Sequence, residues 1–86
     1  MLKKEVTVRC ESGLHNRQAT YFVQKANEFD SRIWLEAGSR RMNAKSLLGI
    51  MSLSVVTGAD VVLTADGPDE EKAIESLETL LQRDVY

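Results

Sequence analysis

The sequence holds one cysteine, one histidine and one proline among 86 residues, and only five aromatic side chains (one Trp, two Tyr, two Phe). A lone cysteine excludes an internal disulfide, and with a single histidine beside it too few soft ligands remain for a structural metal site, so neither a metal nor a cofactor is expected. Charge of neither sign dominates. With 11 basic against 13 acidic side chains and a net charge of -2, the chain has no broad electrostatic reason to bind nucleic acid or an anionic membrane surface. No apolar run approaches the roughly 18 residues needed to span a bilayer, and the chain does not open on a basic-then-apolar leader. These absences predict a soluble, unprocessed protein of the reducing cytoplasm whose partners are other proteins.

What the sequence does contain, 43% hydrophobic and 28% charged residues, fits one small domain over residues 1–86 with a thin core. Leu2, Val6, Val8 and Cys10 alternate with polar residues as in a half-buried strand, and that parity makes Cys10 a core residue before a reactive thiol. After a turn at Ser12-Gly13, the spacing of Ala19, Phe22, Val23 and Ala26 predicts a helix from Asn16 to Asn27, with Gln18 as a capping-box partner. Ile33 and Leu35 read as a second strand, with Trp34 and Glu36 on its other face. Ala37-Gly38-Ser39 turns into a third strand at Arg40-Arg41-Met42, whose arginines read as edge-strand solubility charges.

Ser46 fits an N-cap of a short helix over Leu47–Leu53. Leu47, Leu48 and Met51 fall on one arc of that helix and Ile50 and Leu53 on another, which is more apolar face than a single core contact needs. Part of it is expected to stay exposed as a docking patch; burial on both sides is the competing reading. Thr57-Gly58 turns the chain into a strand over Val61–Ala65. A helix then starts in Asp66-Gly67-Pro68-Asp69-Glu70-Glu71, whose acids read as capping and solvation, and carries the stripe Ala73, Ile74, Leu77, Leu80 and Leu81. The order is βαββαβα, an α+β arrangement in which three helices cover one face of a four-stranded sheet.

The chemistry concentrates where the first strand gives way to the first helix. His15 stands there, and the free amides of a helix start, with the positive end of the macrodipole, suit a phosphate. Arg17 adds a planar fork of donors within the same turn. Neutral imidazole keeps a lone pair near physiological pH and can be the nucleophile itself. The blander reading is a polar cap followed by a solvated charge.

Two separated stretches resemble the histidine-containing phosphocarrier family, HPr, of the bacterial phosphoenolpyruvate-dependent sugar phosphotransferase system. Gly13-Leu14-His15-Asn16-Arg17-Gln18-Ala19-Thr20 is similar to the family's Gly-Leu/Ile-His-Ala-Arg-Pro-Ala-Thr stretch, and residues 43–53, from Asn43-Ala44-Lys45-Ser46 to Ser52-Leu53, are similar to its regulatory-serine stretch. The resemblance implies an open-faced β-sandwich with an antiparallel sheet. It implies that His15 accepts a phosphoryl group on Nδ1 from enzyme I and passes it to sugar-specific IIA domains, with Arg17 stabilising the phosphate. It further implies that Ser46 is the target of HPr kinase/phosphorylase, making a corepressor for the catabolite control repressor, and that Thr20, Leu47, Leu48 and Met51 contact partners. Asn16 and Gln18 depart from the pattern, and without the proline the first helical turn is not preset, which is expected to loosen the phosphate site. Asn-Ala-Lys-Ser and Ala26-Asn27-Glu28-Phe29 also resemble catabolite-repression HPr, a regulatory paralogue that lacks the histidine. A phosphoryl carrier, a corepressor acting through Ser46, and a plain adaptor using the apolar patch therefore stand side by side.

Overall fold

The computed structural model describes residues 1–11 and 13–83. Ser12, half of the first expected turn, lies outside them, as does the side chain of Asn16. The alternation that begins at Leu2 forms strand β1 (Leu2–Thr7). It is followed by helix α1 (Asn16–Ala26), strands β2 (Arg32–Ala37) and β3 (Arg40–Asn43), helix α2 (Leu47–Ser52), strand β4 (Asp60–Asp66) and helix α3 (Glu70–Gln82). The strands make one antiparallel sheet in the order β1-β4-β2-β3, with Val6 opposite Val61 and Leu35 opposite both Leu63 and Met42. β4, the last strand in the chain and followed only by α3, is thus central, and its apolar parity of Val61, Leu63 and Ala65 is buried against the helices. No helix among the described residues is long and apolar enough to cross a membrane.

The first strand is shorter than its pattern. The ladder ends at Thr7 because β4 begins at Asp60, yet Val8 and Cys10 remain buried: the Val8 amide donates to Ala59 O (2.8 Å), and those of Arg9 and Cys10 both donate to Leu81 O at the end of α3. The period-2 signal therefore reports burial beyond the last rung of the sheet. Between β2 and β3 the turn is Gly38-Ser39, with Gly38 at φ +62 in its first position, where a two-residue hairpin calls for glycine.

The two arginines after that turn are not mere solubility charges. Arg40 reaches the far end of α2, donating from its guanidinium to Ser52 O (2.7 Å) and Ser52 Oγ (3.3 Å), where a cation also meets the negative end of the helix. Arg41 lies 4.4 Å from the centroid of the Trp34 ring and 3.7 Å from Glu36 Oε1. α2 closes through Ser54, whose amide donates to Met51 O (3.2 Å) while its own φ is +52. A left-handed residue past a helix end is the position that glycine fills without strain. Ser54→Gly is therefore expected to stabilise the fold by about 0.5–1 kcal/mol, read as a melting temperature about 3–6 °C higher. A lower melting temperature would show that the serine contributes more than its backbone strain costs.

The acidic start of α3 likewise does more than cap. Pro68 precedes the cap residue Asp69, whose carboxylate caps nothing in its own helix. It accepts instead from the amides of Asp30 (2.9 Å) and Ser31 (3.0 Å) and from the Ser31 hydroxyl, tying the entry of β2 to the entry of α3. Glu70 reaches back to the Gly67 amide (3.1 Å) and lies 3.3 Å from the amino terminus. The Ser31 hydroxyl first, then the Asp30 amide, hold the Asp69 carboxyl below its ordinary range; the Gly67 amide does the same for Glu70. A carboxylate whose pKa is depressed by folding contributes stability that is complete above its unfolded value, near pH 4, and is lost as pH falls through the folded value. Melting temperatures should accordingly fall on acidification below about pH 4, and Asp69→Asn should flatten that limb. An unchanged acid limb in the variant would assign the loss to other carboxylates.

Candidate functional site

The loop that presents His15 is clamped from two sides. On one side the Leu14 amide donates to Val55 O (3.0 Å), and Thr57 Oγ1 donates to the carbonyls of Cys10 (2.6 Å) and Glu11 (2.7 Å). On the other, the amides of Arg9 and Cys10 hold Leu81 O. Gly13 makes the approach to Val55 feasible: at φ +66, a Cβ built on it would lie 2.4 Å from Val55 O and 2.9 Å from the Val56 Cα. Both neighbours are backbone and cannot swing away. Gly13→Ala is thus expected to cost on the order of 3 kcal/mol, or about 12–24 °C in melting temperature. A loss under 3 °C would mean that the loop has room to move off Val55.

His15 follows this clamp as the N-cap of α1, in extended backbone (φ -125, ψ 154), half-exposed, and its side chain makes no capping bond. The amides of Gln18 (3.0 Å) and Ala19 (3.3 Å) both donate to His15 O, which leaves the first-turn amides of Asn16 and Arg17 without any helix carbonyl to take them. Arg17 is exposed in that same turn, and Thr20 is exposed one turn on. The imidazole, two first-turn amides and a guanidinium therefore share one turn of helix at its positive end, an arrangement that stabilises an anion bonded to the ring. Since the cap residue is His15, no reciprocal capping box forms; the Gln18 amide nitrogen donates instead to the carbonyls of Leu80 and Arg83.

Ser46 caps α2 as expected, its Oγ accepting from the Gly49 amide (3.2 Å) while the residue stays exposed. The residues before it build its platform. Asn43 Oδ1 accepts from the Lys45 amide (2.8 Å), and Lys45 Nζ is tied to Phe29 O (2.6 Å). The Asn27 side chain bridges Val23 O (2.9 Å) and Lys45 O (3.2 Å). These contacts place the end of α1 beside the start of α2, whereas Leu14, at the start of α1, binds Val55, just past the end of α2. The two helices are antiparallel neighbours, so His15 and Ser46 belong to opposite ends of α2, about 9 Å of helix apart.

Between those ends lies the apolar surface. Leu47, Leu48 and Met51 are exposed, Leu48 at 83%, while Ile50 is fully buried and Leu53 packs on the core. The division into an outward and an inward arc holds, and burial on both sides is excluded. Val56, 56% exposed, adds to the outward apolar surface beside the loop of His15 and was not legible as part of it. It follows the buried Val55 in a segment outside any helix or strand, where no periodicity tells the outward valine from the inward one.

The comparisons agree with this fold. The family model for the PTS HPr component phosphorylation site matches residues 2–83. HPr-like protein Crh of Bacillus subtilis (strain 168) is 46% identical over 85 residues, covering 99% of this chain and all of that protein. Among solved structures, the phosphocarrier protein HPr from Bacillus anthracis str. Ames superposes with a TM-score of 0.92 at 42% identity, covering 94% of this chain and 96% of that one. HPr-C-His from Thermoanaerobacter tengcongensis gives 0.91 at 45%, covering 95% and 92%. The fold is the open-faced α+β sandwich of these phosphocarriers, and the chain belongs to the HPr family.

Proposed function

We propose that this chain carries phosphoryl groups for the phosphoenolpyruvate-dependent sugar phosphotransferase system, taking one from enzyme I on His15 Nδ1 and handing it to sugar-specific IIA domains in the cytoplasm. The observation that carries this reading is the half-exposed imidazole at the start of α1, unspent on capping and followed within one turn by two amides without helix acceptors and by Arg17. The Nδ1 lone pair forms the N–P bond as the bond to the donor's phosphate-bearing group breaks. The helix end and the guanidinium bear the charge of the transferred group.

Leu47, Leu48 and Met51, with the exposed Thr20 on the neighbouring helix, form the surface on which partners dock in turn, because the three side chains of α2 are apolar groups that the core leaves outside. Ser46 is the target of HPr kinase/phosphorylase. A second reading, a corepressor that acts mainly through phosphorylated Ser46 on the catabolite control repressor, draws support from the exposed hydroxyl at the cap of α2 and from the identity to a protein named Crh. Incubation with enzyme I and labelled phosphoenolpyruvate separates the two. Acid-labile label is expected on the carrier; a chain that takes none, yet is phosphorylated at Ser46 by the kinase, is the corepressor.

A further inference from the structure

Position 18 is where the family's stretch carries proline, and here it carries a buried amide. Gln18 is 3% exposed although it lies in the first turn of α1, and its Nε2 donates to Leu80 O (2.5 Å) and Arg83 O (3.0 Å), 62 and 65 residues away. Those are carbonyls at the C-terminal end of α3, where a helix has acceptors without internal donors. The carbonyl between them in the turn, Leu81 O, is taken by the amides of Arg9 and Cys10, from the segment that leads into the His15 loop. The end of α3 is thereby bound to both sides of the histidine, before it through backbone amides and after it through one side chain.

A proline at this place would hold the turn by fixing φ of its own residue. Glutamine leaves φ unfixed; its backbone amide donates to His15 O (3.0 Å), and the further hold on the turn that presents the amides of Asn16 and Arg17 comes from outside it, through the side chain. We propose that Gln18 is a positioning residue for the phosphoryl acceptor: its two hydrogen bonds to α3 hold the first turn of α1 in the register that places those amides and Arg17 against a phosphate on His15. The inference rests on the carrier reading of His15. Gln18 is buried and its side chain is bonded to the end of α3. It acts through the turn, so its loss should appear in the chemical step and in the stability of the N–P bond, while docking on α2 is untouched.

The test uses full-length chains with enzyme I and phosphoenolpyruvate, assayed well below the melting temperature of every variant. Gln18→Met keeps the length of the side chain and removes both donors. It is expected to lower kcat for phosphorylation of His15 about tenfold with little change in KM, and to shorten the hydrolysis half-life of phosphorylated His15, followed by 31P NMR, several-fold. Gln18→Pro supplies the constraint by its ring without the bonds to α3, and should recover kcat and half-life even if its melting temperature stays low. Should Gln18→Met not fold, Gln18→Asn, with the same donors on a stem one methylene too short to reach, takes its place. A donor-less or shortened variant that matches the parent in kcat and half-life while melting lower overturns the proposal and leaves Gln18 a stabilising strap; so do equal defects in Gln18→Pro and Gln18→Met. A parent chain that accepts no phosphoryl group overturns the carrier reading, and this proposal with it, and is told apart by the parent's own result.

Discussion

Replacing His15 with alanine is expected to abolish labelling by enzyme I and phosphoenolpyruvate while the chain stays folded. The acceptor must offer a lone pair at the positive end of α1, and within that turn the imidazole does so; Arg17, two residues on, is a donor only. His15 is half-exposed and its side chain caps nothing, so its removal costs the helix no capping bond, and the melting temperature should move by less than about 4 °C. Arg17→Ala should be milder in the same direction. Loss of one charged, bidentate donor slows transfer by about 10–100-fold, with stability unchanged because the side chain is exposed. Labelling of His15→Ala at the parent rate would place the phosphoryl group elsewhere and end the carrier reading.

The second large effect is expected from a phosphate on Ser46. Its oxygens take over from Oγ as acceptors for the Gly49 amide at the positive end of α2, so the helix and the fold should survive or gain slightly. Because Ser46 and His15 occupy opposite ends of α2, the added charge of about -1.5 to -2 acts on the apolar surface between them and not on the phosphohistidine. If enzyme I meets that surface with apolar and acidic groups, desolvation and repulsion should cost about 2–3 kcal/mol, a loss of tens to hundreds-fold in kcat/KM. The hydrolysis half-life of phosphorylated His15 should not change. A partner bearing Arg or Lys should gain instead, so that one serine would switch the chain from transport to signalling. Ser46→Asp should give only part of the effect, since a carboxylate has less charge and fewer oxygens. Equal rates of His15 phosphorylation with and without the phosphate would sink the switch.

Much of this architecture could be read from local pattern. Gly38 announced its hairpin because that turn needs a positive φ, Ser46 its cap because a short hydroxyl side chain satisfies a first-turn amide, and the arcs of α2 followed from 100° per residue. The misreadings share a different cause. Local pattern gives Gln18, Arg40 and Asp69 each a local duty, yet their partners lie 62, 12 and 38 residues away. Nothing in the neighbourhood of a polar residue says which distant carbonyl or amide it will satisfy. Only Gln18 carried a hint, since it lies four residues before Phe22 and eight before Ala26 on the buried stripe, where a polar side chain must find a partner. The end of β1 was equally hidden, because a ladder stops where its neighbour begins.

Trp34 gives the open side of the sheet a use of its own. It is the sole tryptophan, half-buried on the face away from the helices, between β4 and β3 and under the guanidinium of Arg41. Its emission should therefore track melting of the sheet and separation from Arg41, and remain dark to events on α1 and α2 across the core. One intrinsic fluorophore thus distinguishes a variant that has lost its fold from one that has lost only a partner, without a label attached to the surface under study.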